Sequence, residues 1–147
     1  MTTAMYATFV VHDRYLGVPV ERVQEVLRAQ PLTRVPLAHE HISGLLNIRG
    51  QIVTALDLRA RLGLPDREPN APSANVVVRT EGGLLSLVVD ALGDVLTVDD
   101  DAFEPPPDTV EPADRELIKG AFKLDDALLL DLDLDATVSL TTDQEKA

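Results

Sequence analysis

The sequence predicts an all-β barrel or sandwich of two lobes, each with about five strands and one short helix. Three observations lead there. Apolar residues recur with the period of strands. Turn residues interrupt them at roughly every 8–12 positions. The second half also repeats the first. Leu16–Leu27 laid over Leu85–Leu96 aligns apolar residues at Leu16/Leu85, Val18/Leu87, Val20/Val89, Val23/Leu92, Val26/Val95 and Leu27/Leu96. Acids coincide at Glu21/Asp90 and Glu25/Asp94. The offset then grows from 69 to 76 residues, so that Pro36 falls on Pro112, Ile42 on Ile118, Gly44 on Gly120 and Ile52–Leu58 on Leu128–Leu134. Two copies make a pseudo-symmetric pair rather than a solenoid.

Each element has a local reason. Tyr6–Val11 is β-branched and aromatic, His12–Tyr15 reads as a turn, Leu16–Val20 alternates, and Val23–Leu27 is a further short strand. Pro31 and Pro36 restrict the segment between them, and Pro36–Ser43 could hold one helical turn. Gly44–Leu58 is the clearest hairpin. Arg49-Gly50-Gln51-Ile52 fits a type II′ connection with Gly50 at the first central position. That register sets Arg49 opposite Ile52, Asn47 opposite Thr54 and Leu45 opposite Leu56 on one mixed face. Leu46, Ile48, Val53 and Ala55 form an apolar face toward the core. A short helix follows, capped by Asp57 and stopped at Gly63 with Pro65 beyond.

The polar stretch Pro65–Ser73 is the expected lobe boundary. Strands follow at Asn75–Thr80, Leu84–Asp90 and Asp94–Val98, then the acidic, proline-rich loop Asp99–Pro107. Pro112–Ile118 is a second helix candidate, and Gly120–Leu134 a second hairpin turning at Asp125-Asp126. The organisation expected is one domain over residues 1–140, with lobes at about 5–66 and 74–138 and a polar tail at 141–147.

Composition narrows the class. The net charge is −12, and it is uneven: residues 1–74 hold eight arginines against seven acids, whereas residues 75–147 hold five bases against eighteen acids. Such a field disfavours broad contact with nucleic acid or anionic lipid. There is no cysteine, which excludes disulfides, thiolate zinc sites and a cysteine nucleophile. Met1–Tyr6 lacks a basic leader, and no apolar run reaches the roughly 18 residues of a spanning helix. The expectation is a soluble cytoplasmic protein with no membrane insertion.

Catalytic and metal motifs are absent from the sequence. His39-Glu40-His41 lacks a third ligand and the H-E-x-x-H spacing, and reads as solvated loop histidines. Asp131-Leu-Asp-Leu-Asp135 opens like a calcium loop, but Ala136 and Thr142 stand where glycine and glutamate are required. Alternation instead turns Leu130, Leu132 and Leu134 inward and the aspartates toward water. No cofactor is implied. Arg49 stands out, because its counterpart in the repeat is Asp125 while the flanking apolar pattern is retained. The frame does not require arginine at that turn. An arginine among aliphatic neighbours has the composition of an interface anchor.

The run from Gly44 to Arg59, Gly-Leu-Leu-Asn-Ile-Arg-Gly-Gln-Ile-Val-Thr-Ala-Leu-Asp-Leu-Arg, resembles the signature of CheW-like chemotaxis coupling proteins. Flanking segments agree: Val18-Pro19-Val20, Val23–Leu27, Val35-Pro36, Leu87–Asp90 and Glu104–Pro107. The similarity spans about Tyr6 to Leu134. It implies two five-stranded SH3-like β-barrels sharing a core, and a non-enzymatic adaptor joining the cytoplasmic tip of methyl-accepting chemoreceptors to the regulatory domain of a CheA-type histidine kinase. By position, it implies a receptor-facing group of Arg49, Glu25, Val23, Asn47, Ile48, Leu87, Val88 and Val89, with Arg49 and Glu25 as a potential pair. It implies kinase contact over His41, Ile42, Ser43 and Gly44, although Ser43 replaces the basic residue common before that glycine. An adaptor of a pilus, gliding or developmental circuit is the alternative, as is, from another class, a small β-barrel enzyme or ligand-binding domain.

Overall fold

The computed structural model describes residues 2–34, 40–107 and 115–138. Eleven strands follow one another: β1 (Thr3–Val11), β2 (Arg14–Pro19), β3 (Val23–Arg28), β4 (Ile42–Ile48), β5 (Gln51–Asp57), β6 (Ala74–Thr80), β7 (Gly83–Val89), β8 (Ala91–Asp99), β9 (Phe103–Glu104), β10 (Ile118–Lys123) and β11 (Leu128–Leu132). Helix α1 (Leu58–Arg61) starts as expected, with the Arg59 backbone N–H donating to the Asp57 carboxylate at 3.0 Å. A second short helix, α2, covers residues 134–138, with Asp133 accepting from the Ala136 N–H at 3.1 Å.

The strands form two sheets, ordered β8-β1-β2-β11-β10-β9 and β3-β6-β7-β5-β4. Neither sheet is built from one contiguous half of the chain such as 5–66 or 74–138. Hairpin β1–β2 sits with β8 to β11, and hairpin β6–β7 sits with β3 to β5. Each half lends its opening hairpin to the other. The links from β2 to β3 and from β7 to β8 therefore cross between sheets instead of turning within one. The exchange creates the parallel pairings, β5 on β7 and β11 on β2, which no short turn could make.

The repeat holds down to the register. Thr54 pairs with Leu85 in one sheet and Leu130 with Leu16 in the other, which are equivalent positions. A bulge between Ile42 and Gly44 recurs between Ile118 and Gly120. The glycines after these bulges are needed for close approach. A Cβ on Gly44 would lie 2.5 Å from the Thr33 carbonyl oxygen, and one on Gly120 would lie 2.4 Å from that of Glu104. Thr33 accordingly bridges to Leu45 as Glu104 does to Ala121.

The main core lies between the sheets. Phe9, Leu16 and Val18 from the first meet Leu56, Val76, Val78, Leu85, Leu87 and Val89 from the second, and all are buried. Each such side chain contributes about 1.5–3 kcal/mol of burial free energy. Each sheet also curls around a small cluster of its own: Tyr6, Val98, Phe122 and Leu129 in the first, and Leu46, Val53, Ala55 and Val88 in the second. Both inner spaces hold a polar pair. In the second, Asn75 donates to the Ser86 hydroxyl at 2.9 Å. In the first, the Tyr6 hydroxyl donates to Asp131 at 3.0 Å.

Asp131 thus corrects the expectation that the aspartates of this run face water. It is 5% exposed, because β11 lies between two neighbours and its alternate face is the inside of a curled sheet. Burial pushes its carboxyl above the usual range, against the hydrogen bond from Tyr6. Ile42 and Ser43, expected in a helical turn, belong to β4, and Ile118 opens β10. Within the same two expectations Glu40 and His41 form a turn, Arg115 is helical and Glu116 and Leu117 form a turn, while residues 36–39 and 112–114, like the tail at 141–147, lie outside the described residues. Among the described residues, no helix is long and apolar enough to cross a membrane.

Candidate interaction site

The β4–β5 hairpin turns one residue earlier than the sequence suggests. Ile48 pairs with Gln51, so the central residues are Arg49 and Gly50, with φ of 54° and 87°. Two positive φ values are the mark of a type I′ turn, whose twist matches that of the strands. The register moves with it: Asn47 faces Ile52 and Leu45 faces Thr54. A shift by two in the pairing leaves the two faces unchanged. Leu46, Val53 and Ala55 are buried, while Asn47 and Ile52 are exposed. The Gly50 N–H donates to the Asn47 side chain at 2.8 Å, which ties the turn.

Arg49 therefore holds a left-handed backbone, a state that costs an ordinary residue roughly 1–2 kcal/mol. Its guanidinium lies 3.6 Å from the Glu25 carboxylate. Glu25 is on β3 and Arg49 follows β4, the strands at opposite ends of the five-stranded order. The ion pair forms where the curl of the sheet brings its two ends together. The pair is lopsided, since the Arg49 side chain is 83% exposed and that of Glu25 18%. An exposed pair of this kind contributes about 0–1 kcal/mol. The acid is held, and the arginine is presented.

The other expected receptor-facing residues divide. Asn47 is exposed beside the tip, Ile48 half-buried on the inner cluster, and Val23 half-buried against the main core. Leu87 and Val89 are fully buried and Val88 is 7% exposed. They present no exposed contact surface: β7 is the central strand of its sheet, and both its faces are covered. In the kinase-facing group, His41 and Ser43 are half-buried and Ile42 packs on the core. The His41 carbonyl accepts from Asp57 N–H at 2.8 Å, and Gly44 is buried under Thr33.

The sequence reading passed over one ionic centre. Asp90 accepts from Arg59 Nε and Nη2 at 2.9 and 2.7 Å, from Arg67 Nε at 2.9 Å and from the His12 backbone N–H at 2.6 Å. Burial alone would raise this carboxyl, but Arg59, His12 and Arg67 outweigh it and hold it at about 2. Arg59 was visible only as the last letter of a signature, and nothing local marks its partner 31 residues on. Among the described residues no three metal-capable side chains gather. A groove at the end of the first sheet is lined by His12, Tyr15, Val98, Phe122, Leu124 and Asp125. It occupies the position related by the repeat to the Arg49 tip, with the tip charge reversed.

These features match known proteins over nearly the whole chain. The chain is 30% identical over 128 residues to the chemotaxis protein CheW of Rhizobium meliloti, covering 87% of this chain and 83% of that one. A segment of 50 residues is 48% identical to protein FrzA of Myxococcus xanthus, covering 34% of this chain and 31% of that one. The crystal structure of the scaffolding protein TtCheW from Thermoanaerobacter tengcongensis superposes with a TM-score of 0.81 at 29% identity, covering 90% of both chains. The model of the CheW-like domain matches residues 5–141, and the chain belongs to that family of chemotaxis proteins.

Proposed function

We propose that this chain is a non-enzymatic adaptor that couples methyl-accepting chemoreceptors to the regulatory domain of a CheA-type histidine kinase, in the cytoplasm and recruited to receptor arrays. One observation carries the reading. Arg49 is displayed at a strained turn, backed by Glu25, in a fold shared with a solved scaffolding protein. The receptor tip is a helical hairpin, and an apolar ridge flanked by acid suits a helix-in-groove contact. Arg49, Glu25, Asn47 and the exposed Ile52 form the contact surface, with Ile48 and Val23 at its margin. Leu87, Val88 and Val89 act from behind, by fixing the sheet. The kinase contact falls on His41, Ile42 and Ser43, on the other strand end of the same hairpin.

Arg49→Glu is expected to weaken receptor binding by at least about 2 kcal/mol in calorimetry, a hot-spot magnitude, with an unchanged circular dichroism spectrum. Unaltered affinity in a folded variant would refute the assignment. Ser43→Glu tests the second surface: an acid where relatives commonly carry a base should reduce kinase copurification and spare receptor binding. A second reading keeps the bridging role and changes the circuit, to one serving pili, gliding or development. The strongly matching segment shared with FrzA supports it. Crosslinking in cells followed by identification of the bound receptor and kinase separates the two circuits.

A further inference from the structure

The Asp90 centre joins four pieces of chain from both sheets. Asp90 itself stands at the crossover between β7, in the five-stranded sheet, and β8, in the six-stranded one. Its backbone N–H donates to the Val10 carbonyl at 2.9 Å, and its carboxylate accepts from the neighbouring His12 turn. Arg59 reaches it from α1, after β5, and Arg59 Nη1 also holds the Pro65 carbonyl at 2.9 Å. Arg67 reaches it from the linker. The side chains are shielded, at 15%, 15% and 16% exposure for Arg59, Arg67 and Asp90.

The other half of the repeat folds without this device. Glu21, the equivalent of Asp90, is exposed. Asp135, the equivalent of Arg59, makes a 3.5 Å contact with Arg22, with side chains 66% and 32% exposed. The polarity is reversed and the pair is open to solvent. Closing a crossover of this fold does not demand a shielded ionic centre, so the Asp90 cluster serves something more than closure.

We infer that Asp90 is a positioning residue that sets the angle between the two sheets. The core between them is built from apolar contacts, which are strong but non-directional. A carboxylate gripped by two guanidinium groups and a backbone amide is directional. It admits one arrangement of α1, the linker and the His12 turn. The two surfaces of an adaptor would then be held at a fixed mutual angle, although the inference concerns the free molecule and stands whichever partners bind.

The chain has no cysteine, so two can be introduced cleanly for spin labels. Glu81→Cys and Asp125→Cys lie at exposed turns of the two sheets. Electron–electron double resonance should give a narrow distance distribution in that background. Adding Asp90→Asn should roughly double its width, as expected when two packed units lose the contact that orients them. Val53→Ala, inside one sheet's own cluster, loses stability without touching the centre and should keep the narrow distribution. Arg67→Gln removes one arm and should broaden the distribution less; it is the readable variant if Asp90→Asn does not fold. An unchanged width in the Asp90 or Arg67 variant, or equal broadening in Val53→Ala, overturns the inference.

Discussion

Asp90 and Asp135 each meet an arginine near a crossover between the sheets, yet they do different things. The first carboxylate is shielded, receives four polar donors and stays ionised to about pH 2. The second makes a single long contact at the surface. The backbone frame around them is shared, even to the position of the bulges. The same holds at the hairpin tips, Arg49 against Asp125, and in the inner spaces, Asn75–Ser86 against Tyr6–Asp131. Duplication preserved what the fold needs and let the polar fittings diverge. The invariants are therefore a guide to stability, and the divergences a guide to function.

The comparison breaks first where the halves are supposed to be equal. Gly44→Ala and Gly120→Ala each push a methyl into a backbone carbonyl that cannot rotate away. Each should cost about 3 kcal/mol or more in denaturant unfolding, by an overpacking that moves backbone. A mild effect in either one would show that the two bulges are not equivalent.

It sharpens at the crossovers. Asp90→Ala leaves two shielded guanidinium groups without their acid and should cost about 3 kcal/mol, whereas Asp135→Ala should cost under about 0.5 kcal/mol. The pH dependence has a definite sign. The folded carboxyl of Asp90 lies below its unfolded value near 3.8, so its stabilisation is complete above about pH 4 and is lost as pH falls toward 2. That loss amounts to roughly 2 kcal/mol and should vanish from the acid-unfolding curve of Asp90→Asn.

The inner pairs should differ in the opposite sense. Asp131 has a raised carboxyl pKa, so it destabilises the fold as pH climbs above the unfolded value, and the penalty persists at neutral pH. Asp131→Asn keeps an acceptor for Tyr6 and should raise the melting temperature at pH 7 but not at pH 3. Asn75→Asp, placing a charge in the equivalent space of the other sheet, should lower it. A small effect of the opposite sign belongs to the hairpin tip. Asn tolerates a left-handed backbone better than Arg, so Arg49→Asn should stabilise the fold by about 0.5–1 kcal/mol while weakening the proposed receptor contact. A loss of stability would mean that Glu25 relies on Arg49 more than its geometry indicates.

Much of this was legible from residues. The period-two patterns of β4–β5 and β6–β7, the cap at Asp57 and the charge reversal at Arg49 are local facts, and local rules read them correctly. The turn at Arg49 was read one residue late because glycine suits both II′ and I′ turns, and only the pairing partner of Ile48 decides between them. Leu87, Val88 and Val89 enter the receptor-facing group only by their position in the family resemblance, and their burial in a central strand is visible only in the sheet order. Asp131 looked solvated because alternation specifies two faces without saying that the outward one is itself enclosed.

The sequence by itself determined the strands other than the two-residue β9, which lies in the stretch expected as a loop, together with the duplication, the exceptional arginine and the family, since each rests on residue order or on spacing along the chain. Tertiary structure alone decided which hairpin joins which sheet, that Arg49 meets Glu25, and that Asp90 gathers Arg59, Arg67 and the His12 turn. Those pairings join residues far apart in sequence. They exist because two crossing connections fold each opening hairpin onto the opposite half, a choice made by burial of the shared core and invisible to any local window.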